Sequence, residues 1–203
     1  MLFRKVCVML ERIFPVLETE RLVLRRILPE DVAAVYRIYS DPKVAEYDTF
    51  MPIDSMAAAR SIIANYNREF EQGQGIRWGI AQKEDNCIIG TCGFMNFNWN
   101  SRRCEIGFGL ATAQSGKGIA TEAVGKITAY GFEVLELNRI EGFVDVRNTA
   151  SVRLLRRLNF VQEGVLRERE YFKGLLHDET VMAILKSDYR KHISFESWKR
   201  CSI

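Results

Sequence analysis

The sequence predicts an α+β fold: a mixed, mostly antiparallel sheet of about seven strands flanked by about four helices, in the order βααβββαβαββ. Three observations carry this. Three alternating apolar segments follow one another between Ile76 and Leu110 at hairpin spacing. Two stretches with apolar residues three or four apart precede them and two follow, bounded by Pro, Gly or Asp. From Arg103 to Val146 the chain passes strand, glycine-rich loop, helix and strand, a passage of βαβ type.

The elements can be justified in order. "RLVLRRI", Arg21 to Ile27, begins as an alternating strand with Leu22 and Leu24 on one face. Pro29-Glu30-Asp31 opens a helix, because proline and acids suit a first turn. Val32, Val35, Tyr36 and Tyr39 form its apolar side, and it stops near Asp41-Pro42. A looser segment, Lys43 to Asp54, carries Tyr47, Phe50 and Met51 before a second helix, Ser55 to Gln72. Strands follow at Ile76–Gln82, Cys87–Phe97 and Arg103–Leu110. A third helix runs from about Gly118 to Leu135. Then come a strand, Arg139–Val146, a short helix, Ala150–Phe160, and a hairpin of Val165–Phe172 and Glu179–Lys186 around Gly174.

Bulk properties narrow the class. The 203 residues suffice for one domain with a real core, and no linker or repeat divides them. Residues 1–16 read as an N-terminal extension, 17–190 as the domain and 191–203 as a tail, with Met9 an alternative start. A net charge of +3 with diffuse basic residues argues against nucleic acid. No apolar run spans a membrane, and the N-terminal segment lacks a secretory core. Five cysteines without a CxxC pair and two histidines argue against a zinc site or a disulfide framework, so the expectation is a cytoplasmic protein with no metal.

The stretch "AQSGKGIATEA", Ala113 to Ala123, sets glycines and a lysine directly before a helix. The first turn of a helix leaves N–H groups unpartnered at the positive end of its dipole, and glycines let an anion approach. An ordinary flexible turn is the competing reading. The Walker and dinucleotide glycine patterns are both absent.

With "EIGFGL" before it and "VRNTASVRLLRRLNF" after it, the stretch resembles the phosphate loop of the GNAT superfamily of acetyl-CoA-dependent N-acetyltransferases. Serine 115 stands where Gln or Arg is usual. "ETERLVLR" (Glu18–Arg25) and the Asn148–Phe160 stretch resemble the ribosomal-protein N-terminal acetyltransferase branch, with Asn159 in place of the usual glycine. The resemblance covers about Thr19 to Lys186. It implies a GNAT-like fold and acetyl-CoA held by Phe108, Gly109, Leu110, Ser115, Gly116, Lys117, Gly118, Ile119, Ala120, Thr121 and Asn148.

The resemblance further implies direct attack of a primary amine on the thioester in a ternary complex. Glu105 is the candidate general base, the alternative being a solvated carboxylate. The family's usual tyrosine acid is replaced by Leu155, which leaves Ser151 to protonate the thiolate or merely to cap its helix. Tyr47, Phe50, Met51, Trp78, Phe97 and Trp99 are the acceptor-pocket candidates, the alternative for such aromatics being the core; Tyr47, Phe50 and Trp99, in loops, are the better ones. Glu46 and Asp48, in the loop between the first two helices, are weaker candidates for the base, the alternative being that they bind a cationic substrate. The expected partners are acetyl-CoA and an amine, either a protein N-terminus or a small molecule, in a chain compatible with a homodimer. A non-catalytic acetyl-CoA sensor on the same fold is the alternative.

Overall fold

The computed structural model describes residues 13–190; Met9 and the tail 191–203 lie outside them. Eight strands form one sheet: β1 (Leu17–Glu18), β2 (Leu22–Arg25), β3 (Ile76–Gln82), β4 (Ile88–Asn98), β5 (Arg103–Leu110), β6 (Arg139–Asp145), β7 (Val161–Phe172) and β8 (Leu175–Leu185). Their spatial order is β1-β2-β3-β4-β5-β6-β8-β7. Among these strands β5 and β6 alone pair in parallel. The helices are α1 (Val32–Tyr39), α2 (Pro42–Ala45), α3 (Met56–Glu71), α4 (Ile119–Glu133) and α5 (Thr149–Arg157).

Most expected elements are present, and the departures have local causes. The additional strand β1 has only two residues, too few to show alternation, and is defined by its pairing with β2. Asp41-Pro42 ends α1 as expected but also starts α2: Pro42 suits a first turn, and Asp41 Oδ1 accepts the Lys43 N–H at 2.9 Å. β7 and β8 begin earlier than the sequence indicates, at Val161 and Leu175. β7 is an edge strand exposed along nearly its whole length, so burial left no alternation to read.

The sheet separates two apolar cores. Trp78, Phe94, Ile106, Ile127, Leu137 and Leu155 lie in the cluster on the α4 and α5 side. Val35, Ile38, Ile63 and Ile88 lie on the α1 and α3 side. Trp78 is fully buried; its indole N–H donates to the Pro15 carbonyl at 2.8 Å and its ring meets those of Phe94 and Tyr130 edge-on. Phe14 packs 4.8 Å from Phe70, so the packed body takes in residues 14 and 15, which the sequence places in the extension. Among the described residues no helix is long and apolar enough to cross a membrane.

Trp78 joins both the sheet and the N-terminal segment to α4. Trp78→Ala should therefore cost about 3–5 kcal/mol of stability, the usual range for emptying a buried aromatic site. The urea midpoint of unfolding measures this.

Candidate active site

The parallel pair is incomplete. β5 and β6 pair at Arg103–Arg139, Cys104–Ile140 and Glu105–Glu141, and the pairing ends there. β5 stays bonded to β4 as far as Leu110, and β6 stays bonded to β8 as far as Asp145. Past Glu105 the two strands therefore diverge, and the facing edge of each is left without a strand partner. Buried Leu155 of α5 sits at the point of divergence: a Cβ on Gly142 would come within 3.2 Å of its Cδ1 and 3.5 Å of Ile106 Cγ2. Phe108, Gly109 and Leu110 lie on the open part of β5, and a Cβ on Gly109 would meet nothing within 4 Å.

The glycine loop lies at the top of this wedge. A 3-10 turn, Thr112–Gln114, leads from β5 to Ser115 in extended conformation. Gly116 and Gly118 both have φ of +77°. Open space surrounds the Gly116 Cβ position, so glycine is favoured there by backbone conformation rather than by crowding. Gly118 is the N-cap of α4 and supplies no side-chain cap. The N–H groups of Ile119, Ala120 and Thr121 thus head a fifteen-residue helix with no side-chain acceptor. Lys117 Nζ rests on Gln114 Oε1 at 3.0 Å.

Glu122 of the "ATEA" stretch anchors the loop. Its carboxylate accepts from Thr19 Oγ1 at 2.5 Å, from the Arg21 backbone at 3.0 Å and from Arg21 Nε at 2.7 Å. Arg21 Nη1 also donates to the Lys117 carbonyl at 3.0 Å. Burial opposes ionisation of Glu122, but the hydrogen bonds from Thr19 and Arg21 outweigh it and hold the carboxyl below its ordinary range.

On the far wall Asn148 is the N-cap of α5, accepting the Ser151 N–H on Oδ1 at 3.1 Å. Of the two residues able to cap this helix, Asn148 and Ser151, Asn148 does so. Ser151 sits three positions into the helix, half-buried, and among the described residues its hydroxyl has no hydrogen-bond partner. Arg153, Arg156 and Arg157 are exposed, and Arg153 and Arg156 bond to Thr149 and Gln162.

Glu105 and Gly107 share the sheet face that α1 and α3 cover farther along, opposite to α4. Loop residues approach from this side. Tyr47 lies against the Arg147 guanidinium, 5.7 Å from its ring centroid, and Phe50 packs on Tyr39 at 5.2 Å. Arg147 is itself seated on buried Asp145 and His177, at 2.6 Å and 2.8 Å. Lys173 at the β7–β8 turn donates to the Ala45 carbonyl, which ties that turn to the same loop. Trp99 is not brought here. It stacks on Phe97 at 4.6 Å in the β4–β5 turn, at the end of β5 away from the wedge. Met51 is exposed, and Asp48 is bonded to Thr49.

Two charged residues that the sequence did not single out lie on this face. Arg77 of β3 reaches past Gly93 and donates to the Gly107 carbonyl at 3.0 Å. Glu179 of β8 bonds Arg169 at 2.6 Å, yet burial pushes its carboxyl up, and Glu105 adds to that electrostatically. Their signal is invisible locally, since each is one charge in a strand. The buried thiols offer no nucleophile: burial pushes Cys92 up to about 12 and Cys104 well above its ordinary value. Among the described residues no cluster could hold a metal ion.

A sheet opened between its parallel strands, with an uncapped helix at the opening, defines an acetyltransferase architecture. Residues 21–161 match the model of the acetyltransferase (GNAT) domain, and the chain belongs to that family. It is an N-acetyltransferase that uses acetyl-CoA. It is 42% identical over 173 residues to the uncharacterized N-acetyltransferase p20 of Bacillus licheniformis, covering 85% of this chain and 97% of that one. YdaF of Bacillus subtilis, named as a candidate ribosomal N-acetyltransferase, is 29% identical over 84% of this chain and 94% of its own. The spermidine N-acetyltransferase of Vibrio cholerae, solved with CoA and spermine, superposes with a TM-score of 0.74 at 25% identity, covering 84% and 99% of the two chains.

The Glu122 anchor gives a pH expectation. A carboxyl held low when folded stabilises above its ordinary range, near 4.5, and loses that contribution as pH falls through the depressed value. Glu122→Gln should therefore lower the urea midpoint at pH 7 and shrink the difference from the parent below about pH 4.

Proposed function

We propose that this enzyme acetylates a primary amine by direct attack within a ternary complex. Acetyl-CoA would lie in the wedge and the amine would enter from the Glu105 face. The observation that carries this reading is the end of strand pairing at Glu105. It leaves backbone donors of β5 free for the pantetheine and the acetyl carbonyl, with a carboxylate at the mouth.

In this reading the uncapped N–H groups of Ile119, Ala120 and Thr121, reached through Ser115, Gly116, Lys117 and Gly118, take the pyrophosphate. Phe108, Gly109 and Leu110 align the pantetheine by backbone hydrogen bonds. Asn148 donates its unused amide N–H to a pantetheine carbonyl while its oxygen keeps the cap. Glu105 accepts a proton from the entering ammonium, directly or through water, and the neutral nitrogen attacks the thioester carbon. As the C–S bond breaks, the thiolate takes a proton from Ser151 Oγ, which owes no hydrogen bond elsewhere, and the surplus proton of the newly acylated nitrogen returns through water to Ser151, so that neutral amide, free thiol and intact serine result. Tyr47 and Phe50 line the acceptor path, and Trp99 has no part in it. Turnover distinguishes this reading from a non-catalytic sensor, and the relatives named as N-acetyltransferases support turnover.

The acceptor is a primary amine on a small molecule or a protein N-terminus. YdaF's name supports the latter, and the similarity to a spermidine N-acetyltransferase of Vibrio cholerae supports a small-molecule amine. Thiol release from acetyl-CoA across amines and N-terminal peptides tests the proposal: release with at least one acceptor is expected, and none with any would overturn it.

Acetyl-CoA at a hundredfold excess over its Kd should stabilise the protein by about 2.7 kcal/mol, and CoA nearly as much. Gly118→Val should abolish this thermal shift, because a β-branched residue resists a φ of +77° and crowds the pyrophosphate.

Ser151→Ala should lower kcat by roughly 10²–10⁴ with acetyl-CoA binding retained, and it should cost little stability. Asn148→Ala should instead cost about 1 kcal/mol, because Asn148 is the cap. Steady-state kinetics and denaturation together separate the two residues. In Glu105→Gln the rate deficit should shrink as pH rises and more amine is already neutral.

A further inference from the structure

Arg77 is unlike the other arginines around the wedge. Arg103 and Arg139 bind Glu141, Arg147 binds Asp145, and Arg169 binds Glu179. Arg77 is half-buried, and among the described residues no carboxylate lies within ion-pair distance of it. It donates one hydrogen bond, to Gly107, and lies 5.3 Å from the Tyr66 ring centroid. Tyr66 is held in turn by Tyr39, and Tyr39 by Thr91. Asp48, on the acceptor loop, acts on Arg77 only from beyond ion-pair distance.

Its position is built by glycines. Arg77, Gly93 and Gly107 lie side by side across β3, β4 and β5. A Cβ on Gly107 would come within 3.3 Å of Arg77 Nη2 and 3.4 Å of Nη1. The missing side chain of Gly107 thus leaves room for a guanidinium that crosses β4 at Gly93 and reaches the carbonyl two positions past Glu105, where β5 has left β6. A guanidinium presents five donors in a planar fork suited to a carboxylate. A half-buried charge without a counterion is disfavoured until an anion joins it.

We infer that Arg77 is a specificity determinant that binds the carboxylate of the acceptor, so that the acceptor is an amino carboxylate, its amine directed to Glu105 and its carboxylate to Arg77. This rests on the acetyl transfer proposed above. It also separates this chain from polyamine acetylation, because a second ammonium in place of the carboxylate would meet a like charge.

The test compares α-, β- and γ-amino carboxylates with their primary amides and with spermidine, as kcat/KM per neutral amine. At least one amino carboxylate should exceed its amide and spermidine tenfold or more. Arg77→Gln should bring that ratio close to one by raising KM, with the Kd of acetyl-CoA unchanged, and Arg77→Lys should restore part of it. Spermidine or an amide as the best acceptor, or a ratio unchanged in Arg77→Gln, would overturn the inference. If Arg77→Gln does not fold, the wild-type ratios decide. If no acceptor is turned over, acetyl transfer itself fails, and binding decides the role of Arg77 separately. CoA-saturated wild-type protein should then bind the N-acetylated amino carboxylates at least tenfold tighter than their amides in calorimetry; equal or reversed affinity would overturn the inference.

Discussion

Everything at the site depends on the parallel pair β5–β6 stopping after Glu105 and Glu141. A sheet normally satisfies its backbone groups strand by strand, and a gap inside it leaves donors and acceptors unmet. Here the floor of the gap is packed by a helix. Leu155, on the helix after β6, packs over Gly142 close to Ile106, where the strands part. Each strand is secured on its other edge, β5 by β4 and β6 by β8. Two half-sheets meet in a wedge whose inner edges are available to a ligand. The same Leu155 occupies the place where the resemblance leads one to look for a tyrosine, so the residue that shapes the wedge floor also removes one source of a proton. Ser151, one helical turn earlier on the same face, is the hydroxyl that remains.

The glycine loop depends on contacts far from it in sequence. Left-handed backbone at two nearby positions is costly to hold in a flexible turn, and this turn is exposed on most of its length. Glu122 counters that cost. From the first turn of α4 it gathers Thr19 and Arg21, and Arg21 returns to the Lys117 carbonyl. An acid near a helix start suits the dipole. Here it also fastens the strand that opens the domain to the loop that closes the wedge, so loop geometry is linked to the integrity of the β1–β2 edge.

The two faces of the sheet divide the labour. On the α4 and α5 face the core is apolar, and Trp78, Phe94 and Tyr130 interlock as edge-to-face rings. On the other face polar groups accumulate around β5: Glu105, the Glu141–arginine network, Glu179 and Arg77. Most of these charges are paired, which keeps them in place. Arg77 and Glu105 stand apart because neither has an ion-pair partner among the described residues, and the Gly107 carbonyl that Arg77 engages lies two residues along the strand from Glu105. Tyr47 and Phe50 approach over this face on a loop tied down by Arg147 and, through Ala45, by Lys173.

The sequence by itself determined the elements whose signals are local. Ser55 accepting from Ala58 starts α3, Arg103–Leu110 is a strand to the residue, and Gly116 and Gly118 read correctly as backbone freedom before a helix. Those features rest on spacing, caps and φ preferences, which act within a few residues. Tertiary structure alone decided the rest. It fixed that the β5–β6 pairing ends at Glu105, that Glu122 is an anchor, and that Trp99 faces away. It also brought Arg77 across Gly93 to Gly107. Each of these depends on residues far apart in the chain, up to about a hundred positions for Thr19 and Glu122, meeting in space, and such meetings are set by packing, which leaves no periodic trace in the chain.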